Sequence, residues 1–232
     1  MLNPKKKITK RELKEDALVT TYSKFLMWYE ENKKLVSYVT TGVIVLAILI
    51  VVFVNNRTAN NEKAATELGK VFSYYDAGAS DVNQYNLAVN GVPEKNVMGL
   101  KAIVDNYGST SSGELAGFYL ANAYYALGKI DDAMNLFDDF SSGDQLLNAS
   151  ATAGVAACYE SKGNFAEAAS NYEKAAGLQT INTAEYLQSS ARCYALKGEK
   201  EKALALCKRI KKEFPQSLQA RDIDRLIAEY SS

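Results

Sequence analysis

The chain has 232 residues, in which 27 Lys+Arg balance 27 Asp+Glu, and it has no histidine. Zero histidine excludes Ser-His-Asp and Cys-His catalysis and every metal site that needs imidazole. The neutral total argues against a dedicated nucleic-acid binder, which carries a basic surplus. Three prolines and 14 glycines are too few for a disordered or collagenous chain, and the length suits one or two domains.

The neutral total hides an uneven distribution. Residues 1–34 carry nine Lys/Arg against five Asp/Glu, whereas residues 55–232 carry 18 against 22. Between them, residues 36–54 read VSYVTTGVIVLAILIVVFV, 19 positions without a charge. At 1.5 Å per residue that run matches a hydrocarbon core of about 30 Å, and a buried globular helix is seldom apolar on every face for so long. Tyr38 suits an interfacial anchor. The run is longer than a signal-peptide core, and Asn55-Asn56-Arg57-Thr58 offers no small-x-small cleavage site, so a permanent transmembrane helix over 35–55 is expected.

Lys5, Lys6, Lys7, Lys10, Arg11, Lys14, Lys24, Lys33 and Lys34 precede this run, and only Arg57, Lys63 and Lys70 follow closely. The positive-inside rule therefore puts the N-terminus in the cytoplasm and the C-terminal part outside it, which in a bacterium is the periplasm. Within 11–31, Leu18, Tyr22, Phe25, Leu26 and Tyr29 recur at three- and four-residue steps, with Lys24, Glu30 and Glu31 off the stripe. An interfacial helix, a docking helix for a membrane partner and a plain extension of the span all fit that pattern.

Further along, Gly128, Gly163 and Gly198 are spaced by 35 residues. Aligning on them brings Ala121, Ala156 and Ala191 into one column, Tyr124, Tyr159 and Tyr194 into a second, and Ala133, Ala168 and Ala203 into a third. A glycine at a helix-to-helix turn accepts a left-handed backbone at low cost, and alanines on facing turns let antiparallel helices approach closely. One hairpin cannot bury its apolar face alone, but a stack of them shares a core.

The segments YALGKIDDAMNLF, YESKGNFAEAASNY and YALKGEKEKALALC resemble the tetratricopeptide repeat, a 34-residue helix-turn-helix unit, over about residues 114–215. Each repeat here is one residue longer, and Cys207 stands where Phe137 and Tyr172 stand in the other frames. Pro215 closes the last repeat as in the family, while Gln145 and Thr180 hold that column earlier. Upstream, AATELGKVFSYYDAG and NVMGLKAIVDNYGST look like the helices of a degenerate first repeat, separated by an insert with Asn90-Gly91 and Pro93 as turn signals. Residues 217–230 read as a capping helix. The fold class expected is all-α: one transmembrane helix, then a right-handed solenoid. Its parts are 1–34 (basic, helical), 35–55 (transmembrane), 56–113 (degenerate repeat with insertion) and 114–232 (three repeats plus cap).

An N-terminal anchor followed by such repeats is similar to the YfgM-like ancillary subunits of the SecYEG translocon, through this layout and the phrase LAVNG…LKAIVDNYGST…ELAGFYLANAYY. That resemblance implies a non-enzymatic scaffold in the cytoplasmic (inner) membrane that meets emerging chains or periplasmic chaperones. The alternative is a structural assembly factor for a cell-envelope complex.

The repeat resemblance implies that the first helix of each hairpin lines a concave, partner-binding groove. Carried over from the turn glycine, the groove presents Phe118, Tyr119, Asn122 and Tyr125, then Ala153, Ala157 and Glu160, then Gln188 and Arg192. Aromatic anchors beside hydrogen-bonding groups suit an extended peptide or a partner helix; ordinary solvated surface suits the same residues. The carboxylate clamp of chaperone-binding relatives is not expected. Asn122 matches it, but Phe118, Gly154, Glu185 and Ser189 replace the other clamp residues.

Cys158 and Cys193 share a column, where helix axes about 8–10 Å apart make a bridge awkward, and Cys193 and Cys207 lie within reach of one hairpin; packing explains all three. Lys197, Lys200, Lys202, Lys208, Arg209, Lys211 and Lys212, interleaved with Glu199 and Glu201, read as a solvated face with cross-turn ion pairs. With no phosphate loop or paired-carboxylate constellation, no enzyme activity, catalytic residue, metal, cofactor, nucleic acid or small-molecule substrate is expected. The partners expected are proteins and the bilayer.

Overall fold

A computed structural model describes residues 10–231; Lys5, Lys6 and Lys7 lie outside the described residues. The chain divides into two units, Met1–Asn56 and Arg57–Ser232. The first contains helix α1 (Lys10–Glu31) and the start of helix α2 (Lys33–Ala77), which continues into the second. Asn32 interrupts the two helices. Its side-chain amide donates to the Trp28 carbonyl at 2.8 Å, and its backbone N–H is shared between the carbonyls of Trp28 and Tyr29. A polar side chain that competes locally for backbone partners is a usual cause of such a break.

The apolar run 36–54 is helical throughout, and its large residues from Tyr38 onward are all exposed: Ile44 at 54%, Leu49 at 60% and Phe53 at 65%. The helix is long and apolar enough to cross a membrane, and none of its most apolar stretch is buried. In water, side chains of this size stay in the open only at a cost of about 1.5–3 kcal/mol each.

The second unit is built of helices packed in chain order. The α2 tail is followed by α3 (Asn83–Asn90), a two-stranded antiparallel ribbon of β1 (Gly91–Val92) and β2 (Val97–Met98), and α4 (Leu100–Tyr107). Then come the hairpins α5/α6 (Ser111–Ala126, Ile130–Asp138), α7/α8 (Gln145–Ser161, Phe165–Gly177) and α9/α10 (Thr183–Lys197, Lys200–Glu213). Each helix from α4 to α10 packs on the next, as in a solenoid, and α12 (Ile223–Ser231) packs on α10 after the short α11 (Leu218–Arg221).

Two expectations for this unit are modified. The second upstream segment, read as helical from Asn96, becomes helical only at Leu100, because Asn96 takes a left-handed backbone (φ 52°) and Val97 and Met98 pair with Val92 and Gly91. The terminal helix is divided at Asp222. Ser217 Oγ caps its first turn by accepting from the Ala220 N–H, and Ile223, Leu226 and Tyr230 are buried with Leu206, Cys207 and Ile210.

The repeat geometry rests on one turn used three times. Gly128, Gly163 and Gly198 have φ of 74°, 76° and 87°. Each turn is closed by the N–H of the following residue donating to the carbonyl of the column tyrosine: Lys129 to Tyr124 at 2.8 Å, Asn164 to Tyr159 at 2.9 Å, Glu199 to Tyr194 at 2.8 Å. That is the six-to-one closure of a helix C-terminus whose glycine sits left-handed. The six column alanines, from Ala121 to Ala203, are wholly buried at 0% exposure, so the helices meet with no more than a methyl between them. Gly154 shows the limit of that approach: a β-carbon there would lie 2.7 Å from the Phe137 ring.

Candidate partner-binding groove

The first helices of successive hairpins are cross-linked side by side. Tyr125 and Ser161 share a hydroxyl hydrogen bond of 2.9 Å between α5 and α7, and Ser150 and Tyr186 share one of 3.2 Å between α7 and α9. Glu160 on α7 pairs with Arg192 on α9 at 3.0 Å. These links place Tyr125, Glu160 and Arg192 along one surface of the second unit.

At the aromatic end, Tyr119 is half-buried and packs on Tyr75 (centroids 4.8 Å apart) and edge-on to Phe72 (5.4 Å). Tyr85 also packs edge-on to Tyr75, at 5.6 Å. Burial, with Tyr85 and Tyr119 alongside, pushes the Tyr75 phenol up to about 12, so it stays a neutral donor. Phe72 remains 40% exposed at the rim. Phe72 and Tyr75 belong to the α2 tail, more than forty residues upstream of Tyr119, and sequence reasoning does not attach them to the groove. The signal available is the aromatic run Phe72, Tyr74, Tyr75 on a helix of the degenerate repeat.

Phe118, half-buried, packs edge-on to Tyr119 at 6.2 Å and also reaches into its own hairpin. Its ring lies 5.9 Å from Phe137 and 5.3 Å from Phe140. Asn122 is half-buried and its amide donates back to the Phe118 carbonyl at 2.8 Å, leaving its side-chain oxygen as an acceptor. Tyr125 is 37% exposed. Beside this end, Val104, Gly113, Glu114, Gly117, Leu136 and Phe140 line a cleft of about 380 Å³ that sequence reasoning also misses.

At the polar end, Glu160 is the hub. It accepts from Arg192 and from the Tyr172 hydroxyl at 3.2 Å. Burial, then the charge of Glu160 and that hydrogen bond, raise the Tyr172 phenol far above its usual range. Glu160 and Arg192 therefore neutralise each other across neighbouring repeats, and this end is polar without being strongly charged. Gln188 is half-buried, as are Ala153 and Ala157, and Ala153 packs against the core.

The three cysteines are free thiols, all buried. Burial lifts Cys158 to about 11 and Cys193 to about 12, so both are protonated packing groups at neutral pH. In the basic run, Glu199 bridges Lys197 and Lys202 at 2.7 Å each, Arg209 pairs with Glu213 at 2.9 Å, and Lys211 reaches Asp224 at 2.5 Å.

A recurrent left-handed turn, alanine-lined hairpins and a surface formed by their first helices define a helical-hairpin repeat protein. Residues 119–180 and 186–217 each match a family model described as tetratricopeptide repeat, so these two stretches are similar to that repeat. Two crystal structures of the putative kinesin light chain nearly identical TPR-like repeats of Podosopora anserina, one of them carrying a single substitution, resemble it at TM-score 0.55 and 16% identity. They cover 73% of this chain and 85% and 86% of their own, and establish likeness of fold. No curated protein matches. Tetratricopeptide repeats form protein-binding scaffolds, typically without enzymatic activity.

Proposed function

We propose that this chain is a single-pass membrane-anchored scaffold whose repeat groove binds protein on the far side of the cytoplasmic membrane. One observation carries the anchor: residues 38–54 form a helix with apolar side chains exposed on every face, next in sequence to a unit with a buried apolar core. The charge bias before and after that run supports a cytoplasmic N-terminus and a periplasmic repeat unit. The layout favours an ancillary role at the Sec translocon, with the span on the channel and the groove on emerging chains or periplasmic chaperones. The half-exposed aromatic ledge of Phe72, Tyr119 and Tyr125 is the part of the groove fitted to grip them, and the neutralised Glu160–Arg192 end sets few charge demands.

Photo-crosslinking in living cells tests this, with one probe at Tyr125 and another at Ile44. Channel subunits at Ile44 together with varied secreted proteins at Tyr125 support the translocon role. A single recurring envelope protein at Tyr125, with no channel at Ile44, replaces it with a structural role in an envelope assembly. Labelling of an engineered cysteine near Thr58 by an impermeant reagent in intact cells checks the topology, and failure to label with the membrane intact would reverse it.

A further inference from the structure

Helix α1 is the one long element of the first unit, apart from the apolar run, whose large side chains stand in the open. Over its last three turns, residues 19–31, and at about 100° per residue, Val19, Tyr22, Phe25, Leu26, Trp28 and Tyr29 fall within one half of the circumference, together with Thr21. Thr20, Ser23, Lys24, Glu30 and Glu31 fall in the other half, with Met27 the apolar exception. None of the six is sheltered: Tyr22 is 63% exposed, Phe25 57% and Trp28 49%. Phe25 and Trp28 lie side by side on that arc, with ring centroids 6.1 Å apart.

We infer that this arc of α1 lies in the headgroup region of an anionic bilayer surface, beside the point where α2 enters it. The inference rests on the membrane-anchored reading of α2. Three features on the chain select lipid as the occupant. The arc is rich in tryptophan and tyrosine, whose rings carry an apolar body and a polar edge suited to the headgroup level. The arc ends at Tyr29, seven residues before the uncharged run begins at Val36, so it meets the bilayer where the span does. Residues 1–34 carry nine basic against five acidic residues, complementary to an anionic leaflet. Asn32, the single residue between α1 and α2, is the joint where α1 can turn away from the span axis, with the i→i−4 bonds from Asn32 to Trp28 and from Val36 to Asn32 kept. Lys24, on the polar half, and Lys33 and Lys34, after the joint, are placed to meet lipid phosphates while the aromatic arc faces the acyl boundary.

Trp28 is the only tryptophan of the chain, so its fluorescence reads α1 alone. The full chain is reconstituted into phosphatidylcholine vesicles with and without phosphatidylglycerol. Integration is scored by resistance to an alkaline wash, and Trp28 is quenched by aqueous iodide and by lipids brominated at shallow or deep positions. The expected result with anionic vesicles is integrated protein, blue-shifted emission, shielding from iodide, and stronger quenching by shallow than by deep bromines. Lys24→Glu combined with Lys34→Glu should restore iodide quenching several-fold while integration holds. Integrated protein whose Trp28 is quenched by iodide as freely as tryptophan in solution overturns the inference and leaves the anchor standing. Strongest quenching by deep bromines also overturns it, because α1 would then continue the span. Protein washed off the vesicles removes the anchor reading itself.

Discussion

Two regions of this chain use apolar residues in opposite ways. Residues 38–54 carry Val, Ile, Leu and Phe, and every one is exposed; the repeat hairpins bury mainly Ala, with Cys158, Cys193 and Cys207 among the larger fully buried groups. On the proposed anchor reading, the difference follows from what each region packs against. A helix in lipid needs bulk on every face and no partner. Stacked helices need small residues on the seam and bulk at its edges, which here are Phe137, Tyr172, Leu206 and Ile210. Side-chain size and angular distribution therefore separate the two regions, alongside hydropathy.

The largest test of that contrast is to place charge in each region's interior. Val45→Arg with Leu49→Arg should release the proposed anchor from membranes, since arginine at a helix centre costs about 2.5–3.5 kcal/mol per residue on insertion scales. Fractionation with an alkaline wash reads the result; retention of the variant would sink the transmembrane assignment. Residues 57–232 expressed alone should fold as a soluble, cooperative unit in urea.

Next in size is bulk on the seam. Ala191→Leu adds three carbons at a position with 0% exposure and should destabilise that unit by about 3 kcal/mol, the upper part of the overpacking range. The same exchange at Ala47, in the apolar run, should change nothing in membrane retention. Gly154→Ala is a smaller version, about 2 kcal/mol, because its new β-carbon meets the Phe137 ring at 2.7 Å. Shrinking that ring with Phe137→Leu in the same chain should recover part of the loss, so the double-mutant cycle should show coupling of about 0.5 kcal/mol or more. Strict additivity would mean that the two side chains do not compete for space.

Much of the repeat unit is legible in the sequence because its period repeats one local requirement. Three turns need φ above zero at one position and a methyl at two others, and glycine and alanine are the residues that meet those needs. What joins residues distant in sequence leaves no such mark. Tyr119 meets Phe72 and Tyr75 only because the α2 tail returns to the first hairpin, and Glu160 meets Arg192 only because neighbouring repeats set α7 beside α9. The second set of contacts made by Phe118 is hidden from the spacing argument for a related reason. Tyr119 and Phe118 are adjacent on α5, about 100° apart; their rings meet edge-on, but Phe137 and Phe140 flank Phe118 while Phe72 and Tyr75 flank Tyr119. The ribbon at Gly91–Met98 depends on Asn96 adopting a left-handed backbone, which the Asn90-Gly91 and Pro93 signals announce only as a turn.

The last effect, the smallest for each residue, separates the two regions by pH. Burial raises Cys158 from 9.0 to about 11 and Cys193 from 9.0 to about 12, and it raises Cys207 as well. Above pH 9 the unfolded chain releases these protons while the folded chain keeps them. The native state then binds more protons than the unfolded one, so stability is full below about pH 9 and falls as pH rises toward the folded values. Near pH 10 the loss should be about 1 kcal/mol for each of Cys158 and Cys193. Urea midpoints of the 57–232 unit measured at pH 8 and pH 10 read that loss, and Cys158→Ala with Cys193→Ala should reduce the difference by the share of those two thiols even though it lowers both midpoints. The tyrosines raised by burial, Tyr75 and Tyr194 among them, add to the same downward slope as pH nears their ordinary value of 10.0. Residues 36–54 contain no titrating group except Tyr38, so membrane retention should hold across the same range. A retention that failed in step with the repeat unit would show that the first region depends on the fold of the second rather than on lipid.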